Sequence, residues 1–172
     1  MAVIILVIVV AAALYIVYTR TNADLVSKDN RCEKAWEDLD EQLERRSAFI
    51  PKLIEGTVPQ TTEQAEALSY LGRMQAAVTS ATTPESKMSA SAELTSVLNS
   101  VLPSLEMQPE IKEELDDIDA KLTYARASYN ECVHSYNQAI ATPPESFVAR
   151  RRFLARKSFD AVGDTARQQL SS

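Results

Sequence analysis

The sequence predicts an all-α protein in which a single N-terminal transmembrane helix precedes an antiparallel up-down bundle of long helices. Residues 1–18 are all apolar and uncharged, and a helix of this length, rising about 1.5 Å per residue, nearly spans a bilayer. Glycine is rare (3 of 172 residues) and aromatic residues make up 6%, which disfavours a β-rich fold. Beyond residue 20, apolar side chains recur at steps of three and four, the period of an amphipathic helix.

The apolar stretch could instead be a cleaved signal peptide. A signal peptide carries basic residues before its apolar run and a small-x-small cleavage site after it. No Lys or Arg precedes this run, and Thr21-Asn22-Ala23 is a poor cleavage site. A buried core helix is disfavoured because the stretch is apolar on every face. We therefore expect a retained anchor over residues 1–19, a helical bundle over 20–144 and a basic membrane-proximal tail over 145–172.

Four helices are predicted within the bundle. They cover about Asn22–Thr57, Thr62–Ala81, Pro84–Leu102 and Pro109–Thr142. Thr61 and Gln64 form a plausible capping box for the second helix, and Thr83 is a good N-cap for the third. Pro51 removes a backbone donor and predicts a kink in the first helix near Ser47. The order long, short, short, long with short connections favours an up-down-up-down bundle, with an extended coiled coil as the alternative.

The first helix carries a heptad seam that a charged residue interrupts. Its positions are Leu25, Cys32, Trp36, Leu39, Leu43, Arg46, Ile50 and Leu53. Trp36 is expected in the core because it lies on this seam. A buried arginine must be paired, and counting residues along the first and fourth helices places Arg46 level with Asp119, with Asp116 one turn away. We expect an interhelical salt bridge there, beside the neighbouring Arg45.

Two motifs in these helices resemble a known family. They are Leu25-Val26, Ala35-Trp36, Leu39-Asp40-x-Gln42-Leu43-x-Arg45-Arg46 and Ile50-Pro51-x-Leu53-Ile54-Glu55 in the first helix, and Ala125-Arg126-x-x-Tyr129-Asn130-x-x-Val133-x-x-Tyr136-Asn137 in the last. Together with the anchor they resemble the LemA family over most of the chain. The resemblance implies an N-terminally anchored antiparallel helical bundle without an established enzymatic activity, and some members of the family are associated with the shaping of bacterial internal membranes. The chain departs from the family pattern at Ala48, at Lys52 and after Glu55.

Two Tyr-Asn pairs mark the last helix. Tyr129-Asn130 and Tyr136-Asn137 lie seven residues apart, so both tyrosines project from one face. Buried tyrosine hydroxyls need hydrogen-bond partners. Two interpretations remain open, a polar layer that fixes the helix register or a groove that binds a partner. The full set of structural or interaction candidates is Trp36, Arg45, Arg46, Pro51, Asp116, Asp119, Arg126, Tyr129, Asn130, Tyr136 and Asn137.

Residues for catalysis are mostly missing from the sequence. The single histidine is His134, and there is no Gly-rich phosphate loop. Glu131-x-x-His134 has the spacing of a di-iron ligand pair on a bundle helix, but such a site needs a second histidine motif. We therefore expect no enzymatic activity and no cofactor, and a metal-binding bundle is a distant third hypothesis.

Charge is divided unevenly along the chain. Residues 19–144 carry 12 basic and 21 acidic side chains, and this acidic body argues against a nucleic-acid partner. Residues 145–172 carry 6 basic and 3 acidic side chains. Most of the basic ones cluster among apolar residues, and we expect them to contact an anionic lipid surface, with a flexible solvated tail as the alternative. These lipid-surface candidates are Arg150, Arg151, Arg152, Arg156 and Lys157.

Basic residues also flank the anchor on one side only. No Lys or Arg precedes the anchor, whereas four basic residues follow it: Arg20, Lys28, Arg31 and Lys34. The positive-inside rule then predicts a single-pass membrane protein with its N-terminus outside and its C-terminal domain in the cytoplasm. The leading hypothesis is a non-enzymatic membrane-anchored scaffold or adaptor, and the alternative is a laterally self-assembling protein that shapes or organises the membrane. The expected partners are the lipid bilayer, an unidentified protein and, under the self-assembly hypothesis, further copies of the chain.

Overall fold

Helices dominate the computed structural model, which describes residues 2–105, 107–149 and 153–160. In chain order they are α1 (Ala2–Glu55), α2 (Thr62–Ser80), α3 (Pro84–Val101), a 3-10 turn (Leu102–Ser104), α4 (Pro109–Ala141) and α5 (Glu145–Ala149). Within these described residues there is no strand, only an isolated bridge between Thr57 and Met107. The predicted all-α class is confirmed.

Helix α1 joins the predicted anchor to the first predicted bundle helix without a break, over 54 residues. It continues past Pro51 and ends at Glu55, slightly before the predicted end at Thr57. Thr57 closes this end of the helix, because its hydroxyl donates to the Leu53 carbonyl at 2.7 Å. The kink expected near Ser47 stays a prediction.

Helices α2 and α3 begin at the predicted caps. The Gln64 N–H donates to Thr61 Oγ1 at 3.2 Å, and the Gln64 side chain returns the bond to the cap backbone. Thr83 caps α3 in the same reciprocal way with Ser86, which the sequence analysis did not predict. Each box satisfies backbone donors that the first helical turn leaves without partners.

The chain divides into two compact units. Unit 1 comprises Met1–Ala35 and Glu131–Arg156, and unit 2 comprises Trp36–Asn130 and Lys157–Ser172. Buried side chains of α1, α4 and α5 form the core of unit 1. They include Leu25, Cys32, Ala35, Val133, Tyr136 and Ala149.

The core of unit 2 draws apolar side chains from four helices. It contains Phe49, Ile50, Leu53, Leu68, Leu71, Val78, Leu94, Leu98, Val101, Leu105, Ile111, Leu115 and Ile118. Most of these positions follow the three-and-four spacing seen in the sequence, so burial of one apolar stripe on each helix accounts for the packing.

Contacts between residues of different helices fix the directions of the helices within unit 2. The pairs are Arg46–Asp119 and Lys52–Glu114 between α1 and α4, Asp40–Lys87 and Arg46–Thr95 between α1 and α3, and Ser47–Thr79 and Ile54–Gly72 between α1 and α2. As residue numbers rise along α1, its contact partners on α2 and α4 have falling residue numbers, whereas those on α3 have rising numbers. Helices α2 and α4 therefore run antiparallel to α1, and α3 runs parallel to it. Unit 2 is therefore an up-down-up-down bundle.

Candidate functional site

The first part of α1 is apolar and exposed. It is the one helix among the described residues that is long and apolar enough to cross a membrane. Its large apolar side chains between Val3 and Tyr18 are 49–72% exposed. Burial begins one turn later, since Thr21 and Leu25 are 8% and 0% exposed. The change from exposed to buried therefore lies where the sequence predicts the anchor to end.

Arg46 and Asp119 form a buried ion pair in unit 2. Arg46 Nε lies 3.0 Å from Asp119 Oδ1, and the Arg46 side chain is 3% exposed against 38% for Asp119. The two atoms are buried but lack hydrogen-bond geometry, so the contact is an attraction between charges without a directed bond. Arg46 Nη1 donates instead to Thr95 Oγ1 at 2.6 Å. The predicted salt bridge is confirmed, with Asp119 as the partner.

Both charges of this pair are incompletely compensated. Burial lowers the pKa of Arg46; Asp119 opposes this shift and Arg126 adds to it. Burial likewise raises the pKa of Asp119 against the effect of Arg46, with a smaller contribution from Asp116. Desolvation therefore outweighs the mutual attraction at each partner. Asp116 itself is exposed.

Arg45 makes a much weaker contact than its neighbour Arg46. Its Nη2 lies 3.7 Å from Asp117 Oδ2, and both side chains are 49% exposed. Asp117 also pairs with Lys121 at 2.7 Å, one turn along α4. Exposed pairs of this kind contribute little to stability. Of the two predicted arginines, only Arg46 therefore contributes to the stability of the bundle through a buried charge.

In unit 2, Asn130 holds part of the chain that follows α5. Asn130 Oδ1 accepts from the Phe159 N–H at 2.8 Å, and its Nδ2 donates to Asp160 Oδ2 at 2.8 Å. The Tyr129 hydroxyl donates to the Lys157 carbonyl at 3.1 Å. The Tyr129 ring meets Trp36 edge to face, with ring centroids 5.6 Å apart. These residues form the first clamp.

Arg126 contributes to the same clamp through the side chains that it contacts. Its Nε lies 3.5 Å from Asp160 Oδ1, and its guanidinium lies 5.6 Å from the centre of the buried Phe159 ring. The arginine covers an apolar ring and pairs with a carboxylate of the same segment. Trp36 is half-buried rather than fully in the core.

A second clamp of the same design lies within unit 1. Asn137 makes two bonds to the backbone of Arg156, donating to its carbonyl at 2.8 Å and accepting from its N–H at 2.9 Å. The Tyr136 hydroxyl donates to the Leu154 carbonyl at 3.1 Å. Residues 153–158 carry no regular secondary structure, so the Tyr-Asn pairs supply hydrogen-bond partners that a helix or sheet would otherwise give to this backbone.

The structure corrects the predicted lipid-facing position of Arg156. Its guanidinium is half-buried in unit 1, 2.8 Å from Asp29 and 3.0 Å from Glu33, and stands 5.9 Å from the Tyr136 ring centre. Burial lowers the pKa of Arg156, but the hydrogen bonds to Asp29 and Glu33 outweigh burial and raise it. The two carboxylates lie one turn apart on α1 and attract this cation more strongly than water does.

The other lipid-surface candidates have no such contacts described. Lys157 is exposed, while Arg150, Arg151 and Arg152 lie outside the described residues. His134 is also exposed. The described part of the chain contains no group of three or more His, Cys, Asp or Glu side chains placed to hold a metal ion.

The motifs that suggested a family coincide with the structural features described above. They contain the buried Arg46 and both Tyr-Asn pairs, and they follow the exposed apolar helix. The model of the LemA family matches residues 35–171 of the chain. The chain belongs to the LemA family. No curated protein matches it. The matched region begins beyond the apolar stretch, so the family assignment rests on the bundle and the tail and not on the anchor.

Some important side chains of this LemA family member escaped the sequence analysis. Asp29 and Glu33 were not among the predicted site residues, yet they hold Arg156. Their i, i+4 spacing on α1 was a usable signal, because it places two carboxylates on one face. The Thr95 hydroxyl accepts a hydrogen bond from Arg46. Nothing in the sequence except the position of Thr95 on its helix face could have predicted this contact.

Proposed function

We propose that this LemA family member is a non-enzymatic, membrane-anchored scaffold whose helical bundle recruits a protein partner or self-associates at the bilayer. The observation that carries the proposal is the exposed apolar N-terminal part of α1, which is continuous with the bundle. The eleven Val, Ile and Leu residues between positions 3 and 17 favour membrane insertion by about 3–7 kcal/mol in total. A continuous helix couples the bundle mechanically to the bilayer.

The non-enzymatic part of the proposal is supported by how the polar side chains are used. Arg46 and Asp119 pair with each other, while Asn130 and Asn137 bind backbone. These contacts serve packing and chain fixation. A catalytic group would instead face a reactant with a suitably tuned pKa.

We further propose that the bundle faces the cytoplasm, because the basic residues after the anchor include Arg20 and Lys28. The orientation is tested by labelling a single introduced cysteine, Ser80→Cys in a background without native cysteines, with a membrane-impermeant maleimide. Ser80 is exposed at the end of α2. Labelling only after permeabilisation supports the orientation, and labelling of intact cells contradicts it.

The scaffold role is tested by crosslinking in cells followed by mass spectrometry, together with native electrophoresis in mild detergent. A scaffold predicts reproducible crosslinks from bundle surfaces to another protein or to a second copy. A single large homogeneous homo-oligomer would favour the membrane-shaping assembly instead. A monomer without crosslinked partners contradicts both.

The tail provides a second membrane contact in this proposal. Phe147 and Leu154 are 69% and 84% exposed, and Lys157 is exposed as well. Apolar side chains among basic ones favour an anionic lipid surface, with about 1 kcal/mol from each basic residue. A peptide of residues 147–154, which leaves out the paired Arg156 and the buried Phe159, should bind anionic vesicles, release in high salt and ignore neutral vesicles. Equal binding to both kinds of vesicle contradicts the proposal.

A further inference from the structure

A polar cavity of about 510 Å³ opens in unit 2 beside the Arg46–Asp119 pair. Its walls come from α1, α3, α4 and the segment held by the first clamp. The two guanidinium groups of Arg46 and Arg126 and the two carboxylates of Asp119 and Asp160 line it. Its size falls in the usual range for sites that bind small molecules.

The Arg46 guanidinium, which is buried in the wall of this cavity, makes fewer hydrogen bonds than it can. Arg46 is 3% exposed, and its Nε, though 3.0 Å from Asp119 Oδ1, makes no hydrogen bond. A guanidinium has five N–H donors, of which Thr95 accepts one at 2.6 Å. A buried donor without a hydrogen bond is costly, so an acceptor placed in the cavity would relieve that cost.

The rim of the cavity is adjustable. Arg126 and Asp160 lie 3.5 Å apart, with side chains 43% and 62% exposed. Such a pair is weak and can re-form around a third group at little cost. Arg126 is also close enough to Arg46 to lower the pKa of the buried guanidinium, so a negative group between the two arginines would stabilise both.

The balance of charge selects the class of ligand. An anion alone would help Arg46 but would repel Asp119, whose ionised form burial already disfavours. A cation alone would help Asp119 but would repel Arg46, whose charged form burial already disfavours. A molecule with one carboxylate and one ammonium offers each buried charge a partner of opposite sign.

We propose that this cavity binds a small zwitterion of the amino-acid class, with its carboxylate towards Arg46 and Arg126 and its ammonium towards Asp119 and Asp160. The Ser91 and Thr123 hydroxyl-bearing residues of the wall suit a polar side chain. The site is independent of the anchor and adds a ligand to the scaffold proposed above.

The test uses the full chain in neutral detergent micelles, with calorimetric titration and thermal unfolding as readouts. The probes are glycine, L-serine and L-glutamine, compared with acetate, phosphate and ethylammonium at equal concentrations. At least one amino acid should bind saturably and raise the unfolding temperature, and the single ions should do neither. Arg126→Gln should weaken that binding by about tenfold or more, which corresponds to loss of a charge-assisted contact.

Asp160→Asn should weaken binding similarly, since it removes a charge from the ammonium side. Lys121→Gln is the matched control: it removes one cation from the same helix at an exposed pair with Asp117 that does not line the cavity. We expect the Lys121→Gln variant to bind the amino acid with the affinity of the wild type. The proposal is overturned if no amino acid binds, if acetate or phosphate binds as tightly, or if Arg126→Gln binds like the wild type.

Discussion

Replacing Arg46 by methionine tests whether a buried charge pair stabilises the bundle. Removing one partner of a buried pair costs about 3–5 kcal/mol when the other stays buried. Here Asp119 is 38% exposed and can regain part of its hydration, so we expect a loss of about 2–4 kcal/mol. Methionine retains most of the side-chain volume, which keeps a packing defect from adding to the electrostatic cost.

The single tryptophan gives a direct assay. Trp36 lies in unit 2 with Arg46 and packs on Tyr129, so its fluorescence reports unfolding of this unit in guanidinium chloride and neutral detergent. Arg45→Met is the matched control, and its exposed pair with Asp117 predicts a loss of at most about 1 kcal/mol. Replacing both members of the buried pair, Arg46→Met with Asp119→Leu, should recover much of the stability.

The pH dependence supplies a further check on the same variant. Arg46 lowers the pKa of Asp119 in the wild type, so without it the folded-state pKa of Asp119 rises further above the unfolded value. The folded state then binds a proton more tightly than the unfolded state, and its stability increases as the pH falls through the folded pKa. The cost of Arg46→Met should therefore shrink in mildly acidic buffer. Melts that coincide with the wild type at neutral pH, or a cost that grows in acid, would refute the reasoning.

Three further predictions follow from local geometry. Gly56→Ala should destabilise unit 2 by about 1–3 kcal/mol, because the new Cβ would overlap the buried Ile111 side chain of α4 and lie 3.2 Å from the Lys52 carbonyl oxygen. Gly72→Ala has room and should stabilise α2 by up to about 1 kcal/mol. The denaturant midpoints of the two variants decide both. Burial raises the pKa of Cys32 from 9.0 to about 11, so its contribution to stability is present below pH 9 and is lost, by about 2–3 kcal/mol, as the pH rises towards 11. A Cys32→Ala variant should lack this loss in a pH series of melts. Asn137→Leu should speed tryptic cleavage after Arg156 by about 30-fold, since two backbone bonds of about 1 kcal/mol each are removed. Gln138→Ala, an exposed neighbour, should leave the rate unchanged.

The helices and the buried pair were accessible from the sequence for physical reasons. The α2 and α3 caps involve residues three apart, so local spacing suffices to find them. Arg46 was recognisable because a charge interrupted an apolar seam, and the uniform rise of two helices placed Asp119 at its level. The sequence alone could not decide between Asp119 and Asp116, which lies one turn away. The choice depends on how α4 is rotated about its axis, and packing sets that rotation.

The tail contacts were beyond the reach of sequence patterns. Residues 153–158 have no period, and their partners lie far away in sequence, as Asp29 does from Arg156. Charge clustering suggested a lipid surface for Arg156, but a cation pairs with whichever carboxylates the fold presents. The repeated Tyr-Asn pairs showed that polar partners were needed, without showing that the partner would be the backbone of the same chain.

Extraction of membranes with alkaline carbonate tests the central claim, that residues 2–18 insert into a bilayer and hold the bundle there. The comparison is between the wild type and an Ile8→Lys/Val9→Lys variant, in which each lysine near the bilayer centre costs about 2.5–3.5 kcal/mol. Ile8 and Val9 are 61% and 58% exposed, so we expect the two lysines to leave the packing of the bundle unchanged. We predict that the wild type stays in the pellet and the variant is released. Release of the wild type, or retention of both proteins, would contradict the account.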